Sequence, residues 1–327
     1  MANIFLTGAT GFIGSFVAEQ LIQQEHQVTC LIRQNSKLKW LNDLPICILR
    51  GSLTDPQTYL PELQNADYVI HLAGVTKARD PEKFYQGNVE PTSFLLSTLA
   101  EKDIRIKKFL MVSSQAAVGP SPSPEPVNED FPCQPLTQYG RSKWQTELIA
   151  SNFQKKLPVT IIRPCAVYGP RDTDIYHFFR LLKYGLNLMV GHVDQLVNVV
   201  FVEDCAQGII QATFSENTVG KTYFICEETP YYWSQFAAMT GKIMNKKYLT
   251  LKLPYPLVNT ITYFIELVAN ITDRNTILSR EKMLEVREPY WRVSSARARK
   301  DFDYKTQYPA EKGIEKTIRW YEENSWL

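Results

Sequence analysis

Six short β-branched or aliphatic runs punctuate the first half of the chain: Ile4 to Thr7, Val28 to Ile32, Ile46 to Leu49, Tyr68 to His71, Phe109 to Ser113 and Val159 to Arg163. Most are separated by longer stretches whose apolar residues recur at helical spacing. Phe16, Val17, Leu21 and Ile22 follow the first run, and Phe94, Leu95, Thr98 and Leu99 precede the fifth. Strands that are apolar throughout must be covered on both faces, and parallel neighbours need a crossover between them. The pattern predicts an α/β fold with a doubly wound parallel sheet. Ligands of such sheets bind at the carboxyl ends of the strands, near the point where strand order reverses.

The chain has 327 residues and is 44% hydrophobic, so it can bury a large core. Its 36 bases and 34 acids leave a formal net charge of +2, with no basic face for nucleic acid; a small-molecule partner is expected. The six cysteines lie far apart and read as reduced core residues. The four histidines, His26, His71, His177 and His192, show no ligand spacing, so no metal is expected. Asn3-Ile4-Phe5-Leu6-Thr7 opens directly as a strand, without a basic leader or cleavage site, from which a cytoplasmic protein is expected. Leu257 to Ile271 is interrupted by Asn259, Thr260, Thr262 and Glu266 and falls short of the ~20 apolar residues that span a bilayer. Its Leu257, Val258, Ile261, Phe264, Ile265 and Val268 share one helical face, which predicts a helix docked on the core, with peripheral contact at a membrane interface as the alternative.

Thr7-Gly8-Ala9-Thr10-Gly11-Phe12-Ile13-Gly14-Ser15 joins the first strand to the first helix. Gly8 permits a tight turn, Gly11 lets backbone approach a pyrophosphate, Gly14 lets helix pack on strand, and free N–H groups at the helix start face an anion. A glycine-rich turn alone is weak, but this placement points to a dinucleotide and a Rossmann-type sheet. The expected division is a dinucleotide-binding domain over 1–165, with 196–226 returning to it through strands at Leu196 to Val202 and Thr222 to Cys226. A smaller, mixed substrate-binding region would take 166–195 and 227–327.

The loop resembles that of the extended short-chain dehydrogenase/reductases, the NAD-dependent epimerase/dehydratase superfamily. His71-Leu72-Ala73-Gly74 is similar to that family's H-x-A-[AG], Asn88-Val89-Glu90-Pro91-Thr92 to N-V-x-G-T, and Arg163-Pro164-Cys165-Ala166-Val167-Tyr168-Gly169-Pro170 to R-P-x-x-V-Y-G-P. Ser113-Ser114 closes the fifth strand, and Tyr139 and Lys143 stand four apart on one helical face. The resemblance implies that Ser114 hydrogen-bonds the substrate oxygen, that Tyr139 is the general acid or base, and that Lys143 lowers the Tyr139 pKa and holds the nicotinamide ribose. Such chemistry needs a proton at the developing alkoxide, and a free tyrosine at pKa ~10 is poorly poised to exchange one. Asn88 either orients a water in this relay or caps a helix. For the cofactor, the resemblance implies contacts from Gly8, Thr10, Gly11, Phe12, Ile13, Gly14, Arg33, Ser52, Leu53, Ala73, Tyr139, Lys143, Pro164 and Val167, and it implies a homodimer.

Two departures stand out. Gly51-Ser52-Leu53 has serine where the family commonly has an acid, and Pro91 replaces a glycine but fits a helix first turn. Gln115-Ala116 after Ser114 lacks the Asp-Glu pair of dehydratases, and the Val197 to Asp204 stretch lacks the Arg-Asp pair of sugar-nucleotide enzymes. Arg33, at the end of the second strand, suits the 2′-phosphate of NADP, so NADP(H) is expected over NAD(H). The motifs are closest to the dihydroflavonol reductase and 3β-hydroxysteroid dehydrogenase branch. That implies an oxidoreductase acting on a ketone or secondary alcohol of a bulky, mainly apolar substrate, with Tyr231, Tyr232, Trp233, Tyr255, Tyr263 and Phe264 suited to an apolar pocket. A nucleotide-sugar epimerase and a non-catalytic nucleotide binder are the alternatives.

Overall fold

The computed structural model describes residues 1–78, 80–191, 193–272 and 280–327, and from 266 to 272 the backbone only. Six strands, β1 (Asn3–Thr7), β2 (Gln27–Ile32), β3 (Cys47–Arg50), β4 (Tyr68–His71), β5 (Lys108–Val112) and β6 (Val159–Pro164), form one sheet with the later strand Thr222–Ile225. All neighbours are parallel, and the order is β3-β2-β1-β4-β5-β6 followed by Thr222–Ile225. The doubly wound Rossmann-type sheet is as the sequence predicts, with strand order reversing between β1 and β4.

Period-two alternation divides each strand between two cores. Ile4, Leu6, Cys30, Ile70, Leu110 and Ile162 join Val17, Leu21 and Ile209 on one face, while Phe5, Leu31, Val69, Phe109, Met111 and Ile161 meet Leu95, Leu99 and Ala150 on the other. A third, aromatic cluster of Tyr168, Phe179, Phe201, Phe236 and Tyr321 joins the later part of the chain.

Two expectations are corrected. Leu196 to Val202 is not one strand. It breaks at Asn198 into Leu196–Val197 and Val199–Phe201, which pair with different partners, and Val202 already begins a helix. The Asn198 side chain causes the break: Nδ2 donates to the Glu227 carbonyl at 2.7 Å, and Oδ1 accepts from Val293 N at 3.0 Å and Arg292 Nε at 3.1 Å. The helix Tyr255–Thr272 exists, but the face assigned to the core is largely turned outward. Val258 is buried, whereas Leu257, Ile261 and Phe264 are exposed; Val268 lies outside the described side chains, as His192 lies outside the described residues. No helix among the described residues is long and apolar enough to cross a membrane, and no cluster among them could hold a metal.

At the switch point a hydrogen-bonded chain ties β1, β4 and the following helix together. Thr92 Oγ1 donates to the Asn88 carbonyl at 2.7 Å, so it accepts from His71 Nε2 at 2.9 Å; His71 Nδ1 then accepts from Thr7 Oγ1 at 2.7 Å, and that oxygen accepts from Ala73 N at 3.3 Å. This accounting fixes a neutral imidazole with its proton on Nε2. Burial, with the Lys143 charge second, lowers the His71 pKa to about 3.

A group whose folded pKa lies below its unfolded value gives stability that is full at high pH and is lost as pH falls. For His71 the window runs from the ordinary 6.5 down toward about 3. Across it, wild type should lose about 1.4 kcal/mol more per pH unit than His71→Gln, which cannot titrate. Urea midpoints at pH 7, 6 and 5 measure this; parallel pH dependences in the two proteins would show that His71 is not held neutral.

Candidate active site

The carboxyl edge of the sheet gathers the residues singled out in the sequence. The glycine loop follows β1, Arg33 follows β2, Ser52 and Leu53 follow β3, Ala73 follows β4, Ser114 follows β5, Pro164 ends β6, and Val167 lies in the short strand Ala166–Tyr168 beyond it. Gly8 has φ +79°, and a Cβ there would stand 2.6 Å from Ala73 N, so the loop is pressed against the end of β4. A Cβ on Gly14 would stand 2.2 Å from the Gly8 carbonyl oxygen, which only a bare helix start allows. Helix Phe12–Gln23 has Gly11 as its N-cap and no side-chain cap, and its first intrahelical bond is Ser15 N to Gly11 O. The N–H groups of Phe12, Ile13 and Gly14 precede that bond, which leaves them for an anion. The site thus fits the pyrophosphate of a dinucleotide.

Helix Gln138–Phe153 delivers Tyr139 and Lys143 to the same edge. Thr137 caps it, accepting from Gly140 N at 3.1 Å. A Cβ on Gly140 would stand 2.3 Å from the Ala116 carbonyl oxygen, so glycine here lets the helix close on the turn after β5. That turn is capped by Ser114, whose Oγ accepts from Ala116 N at 3.1 Å and whose hydroxyl favours the ionised form of the Tyr139 phenol. Ser114 and Tyr139 remain partly open to solvent, whereas Lys143 is buried. Lys143 Nζ donates to the Val112 carbonyl at 2.7 Å, and desolvation lowers its pKa to about 8 against the opposing pull of Glu147. Glu147, one turn further on, receives a two-pronged bond from Arg163 of β6: Nε to Oε1 at 3.0 Å and an Nη to Oε2 at 2.6 Å, both side chains buried. Removing one partner of such a pair costs ~3–5 kcal/mol, because the other is left charged in the core.

The expectation that Lys143 lowers the Tyr139 pKa does not describe this state. Desolvation raises the phenol to about 12; the Ser114 hydrogen bond works downward, and the Glu285 and Asp174 carboxylates work upward. The Lys143 ammonium is instead spent on Val112. Asn88 is no helix cap either. It lies in a π-helical turn, Tyr85–Val89, between the helices Pro81–Phe84 and Glu90–Glu101. Its Oδ1 accepts from Val75 N at 2.6 Å, and its Nδ2 donates to Val75 O at 3.0 Å and Ser142 Oγ at 2.8 Å. The widened turn also accommodates Pro91, which lacks an N–H and would clash in a regular helix interior.

Sequence reading missed several neighbours. Glu285 and Asp174, the latter paired with Lys77, act on Tyr139, and Glu281 Oε1 accepts from Gln138 N at 2.9 Å at the start of the Tyr139 helix. Arg50 donates to the Gln34 carbonyl at 2.5 Å beside Arg33. Ser113 Oγ and Gln115 Nε2, on either side of Ser114, are buried with no hydrogen-bond partner among the described residues. Of the aromatic residues expected at an apolar pocket, Tyr231 and Trp233 pack into the third core cluster, while Tyr263 and Phe264 are exposed. Packing on Phe236 rather than on a cavity explains the difference for Trp233.

The sequence model of the NAD dependent epimerase/dehydratase family matches residues 4–226. The chain is 26% identical over 326 residues to a ceramide reductase of Caulobacter vibrioides, covering 99% of this chain and 96% of that one. It is 26% identical over 284 residues to the N-acetyl-alpha-D-glucosaminyl-diphospho-ditrans,octacis-undecaprenol 4-epimerase of Escherichia coli O157:H7, covering 85% and 83%. A UDP-glucose 4-epimerase from Thermotoga maritima, solved with UDP-glucose, shares the fold at TM-score 0.82 and 20% identity over 99% of both chains. The family match begins in β1 and ends just past the seventh strand of the sheet, and on that span this chain is a member of the NAD-dependent epimerase/dehydratase family, among the extended short-chain dehydrogenase/reductases.

Proposed function

We propose that this chain is an NADP(H)-dependent oxidoreductase that interconverts a ketone and a secondary alcohol on a bulky, mainly apolar substrate, dihydroflavonol- or hydroxysteroid-like. The observation that carries the reading is the meeting of Ser114, Tyr139 and Lys143 on the edge where the uncapped glycine loop opens. In this reading residues 1–165 with 196–226 bind the dinucleotide, and 166–195 with 227–327 shape the substrate side. A nicotinamide held there would supply or take up the hydride. Ser114, with its oxygen anchored on Ala116 N, presents its hydroxyl to the substrate oxygen. Tyr139 hands its proton to that oxygen as negative charge develops. The Lys143 ammonium beneath stabilises the phenolate left behind, and Asn88, bound to Ser142 and Val75, holds the adjoining turn in place. The resemblance over nearly full length to a protein named for ceramide reduction supports a large apolar substrate.

A specific observation favours a nucleotide-sugar epimerase as the second reading. The sequence around Asn198 lacks an arginine, yet the fold brings Arg292 to it, Nε at 3.1 Å from Asn198 Oδ1. A guanidinium thus stands where a pyrophosphate anchor was thought missing. The relative named as a diphospho-undecaprenol sugar epimerase points the same way.

Tyr139→Phe should lower turnover by ~10²–10⁴ while leaving nicotinamide binding nearly unchanged; undiminished turnover, followed at the reduced-cofactor absorbance band, would remove Tyr139 from the chemistry. Bulky apolar ketones or alcohols should react, and UDP-sugars should neither bind tightly nor change configuration. Micromolar binding in calorimetry followed by epimerisation would decide for the second reading. Arg33 is exposed and has no ion pair among the described residues, so its guanidinium is available for a 2′-phosphate. A charge-assisted pair of ~1.5–3 kcal/mol favours NADPH over NADH by roughly ten- to a hundredfold, and Arg33→Asp should erase or invert that ratio. Equal dissociation constants in wild type, or an unchanged ratio in the variant, would leave Arg33 no part in selection.

A further inference from the structure

Helix Tyr255–Thr272 is built inside out. Its inward residues are Val258, 6% exposed, and Thr262, 0% exposed, whose hydroxyl has no hydrogen-bond partner among the described residues. Its outward residues Leu257, Ile261, Tyr263 and Phe264 are 50%, 46%, 49% and 59% exposed. A helix with only core and water as neighbours would show the reverse. The strand before it, Leu249–Leu253, pairs in parallel with Leu186–Val190, Leu251 opposite Leu188. Leu249, Leu251 and Leu188 share one face of this two-stranded sheet, and all three are exposed. Exposed apolar groups concentrated in this way mark an interaction surface.

Charge says what covers it. Residues 176–193 and 242–265 contain Arg180, Lys183, Lys242, Lys246, Lys247 and Lys252 and no aspartate or glutamate, although Asp194 and Glu266 follow directly, Lys242 pairs with Glu311, and Lys252 alternates onto the strand face opposite Leu251. The whole chain is nearly balanced, with 36 bases and 34 acids, so this is a local segregation of positive charge. A second copy of the chain would set the same cations against themselves across a two-fold interface. A bilayer with anionic headgroups meets both demands: apolar side chains enter the headgroup boundary, and lysines remain among the phosphates.

We propose that this face docks the protein on an anionic membrane surface, with helix Tyr255–Thr272 lying in the plane of the headgroups. The face adjoins the cleft. Arg287 lies over the Tyr255 ring at 5.2 Å and Arg280 over the Tyr263 ring at 5.5 Å, which joins this helix to Arg280–Arg287. That second helix supplies Glu281 to the start of the Tyr139 helix and Glu285 to the surroundings of Tyr139. One helix therefore separates the docking surface from the proposed chemistry, and an apolar substrate dissolved in the bilayer has a short way to travel.

Co-sedimentation of the full chain with phosphatidylcholine vesicles, with and without phosphatidylglycerol, tests the proposal without reference to turnover. Failure of the catalytic reading would leave vesicle binding intact, and failure of docking would leave turnover of a soluble ketone intact. Wild type should bind the anionic vesicles, more weakly as salt rises, and bind neutral ones poorly. Replacing both Lys246 and Lys247 by Glu should weaken anionic binding by ~30-fold or more, at about fivefold per lysine charge removed. The double change Ile261→Ser with Phe264→Ser should weaken binding at least ~tenfold while thermal unfolding stays near that of wild type, since both side chains are exposed. Wild type remaining in the supernatant with both vesicle types would overturn the proposal. So would an apolar variant that binds as wild type does but changes from dimer to monomer in light scattering, which would assign the face to a second copy.

Discussion

The Lys143 ammonium is buried at the centre of the site, and a charge taken from water must be met by fixed dipoles or opposite charge. Two groups meet that demand. Val112 turns its carbonyl to the ammonium at 2.7 Å, and Glu147 supplies negative charge from one turn along the same helix. Glu147 is shared with Arg163, so the helix carrying Tyr139 is bolted to β6 through the same charges that tolerate Lys143. The positive charge also acts on His71, which burial already keeps neutral. A neutral His71 can accept from Thr7 while donating to Thr92, and those two bonds hold the ends of β1 and β4 and the following helix in register. The geometry of the glycine loop is thus held through Thr7 and a His71 that burial keeps neutral, with the Lys143 charge acting in the same direction.

The same desolvation that depresses Lys143 to about 8 lifts Tyr139 to about 12. The two shifts share their largest cause, because burial disfavours the ionised form of either group. The cleft as folded therefore stores a protonated phenol beside a cation that loses its own proton more easily than a free lysine does. Such an arrangement is set up to give a proton to an oxygen that becomes negative. Running the other way, it must first form the phenolate, with Ser114 favouring it and burial and the carboxylates of Glu285 and Asp174 opposing.

What the sequence made legible was local. The glycine spacing, the apolar runs of β1 to β6 and the Tyr139–Lys143 interval each lie within a few residues, and backbone periodicity translates them directly into shape. What it hid was carried by partners far along the chain. Asn198 breaks an evident strand because Glu227, Arg292 and Val293 converge on it, and none of these is its neighbour in sequence. Asn88 read as a cap or a relay residue because its bond to Ser142 and the π-turn around it are tertiary facts. The helix at Tyr255 shows the limit of periodicity most plainly. Spacing tells which residues share a face, but not what that face meets, and Leu257, Ile261 and Phe264 turned outward.

Arg33 illustrates the same limit at the cofactor edge. As a residue at the end of β2 it reads as a single exposed cation, but the sheet pairs Ile32 with Arg50 of β3 in register. From there Arg50 reaches across the edge and donates to the carbonyls of Arg33, at 3.4 Å, and of Gln34, at 2.5 Å. Those carbonyls belong to the turn that presents the Arg33 side chain, so one guanidinium shapes the backbone from which the other projects. Arg50 also adds its own positive charge at the edge, where the family's usual acid after β3 is replaced by Ser52 with its hydroxyl on Thr54 Oγ1. On the reading proposed here, preference for a 2′-phosphate is then a property of the β2–β3 edge as a unit: two cations, a turn held by one of them, and no carboxylate from the residue after Gly51 to repel the phosphate.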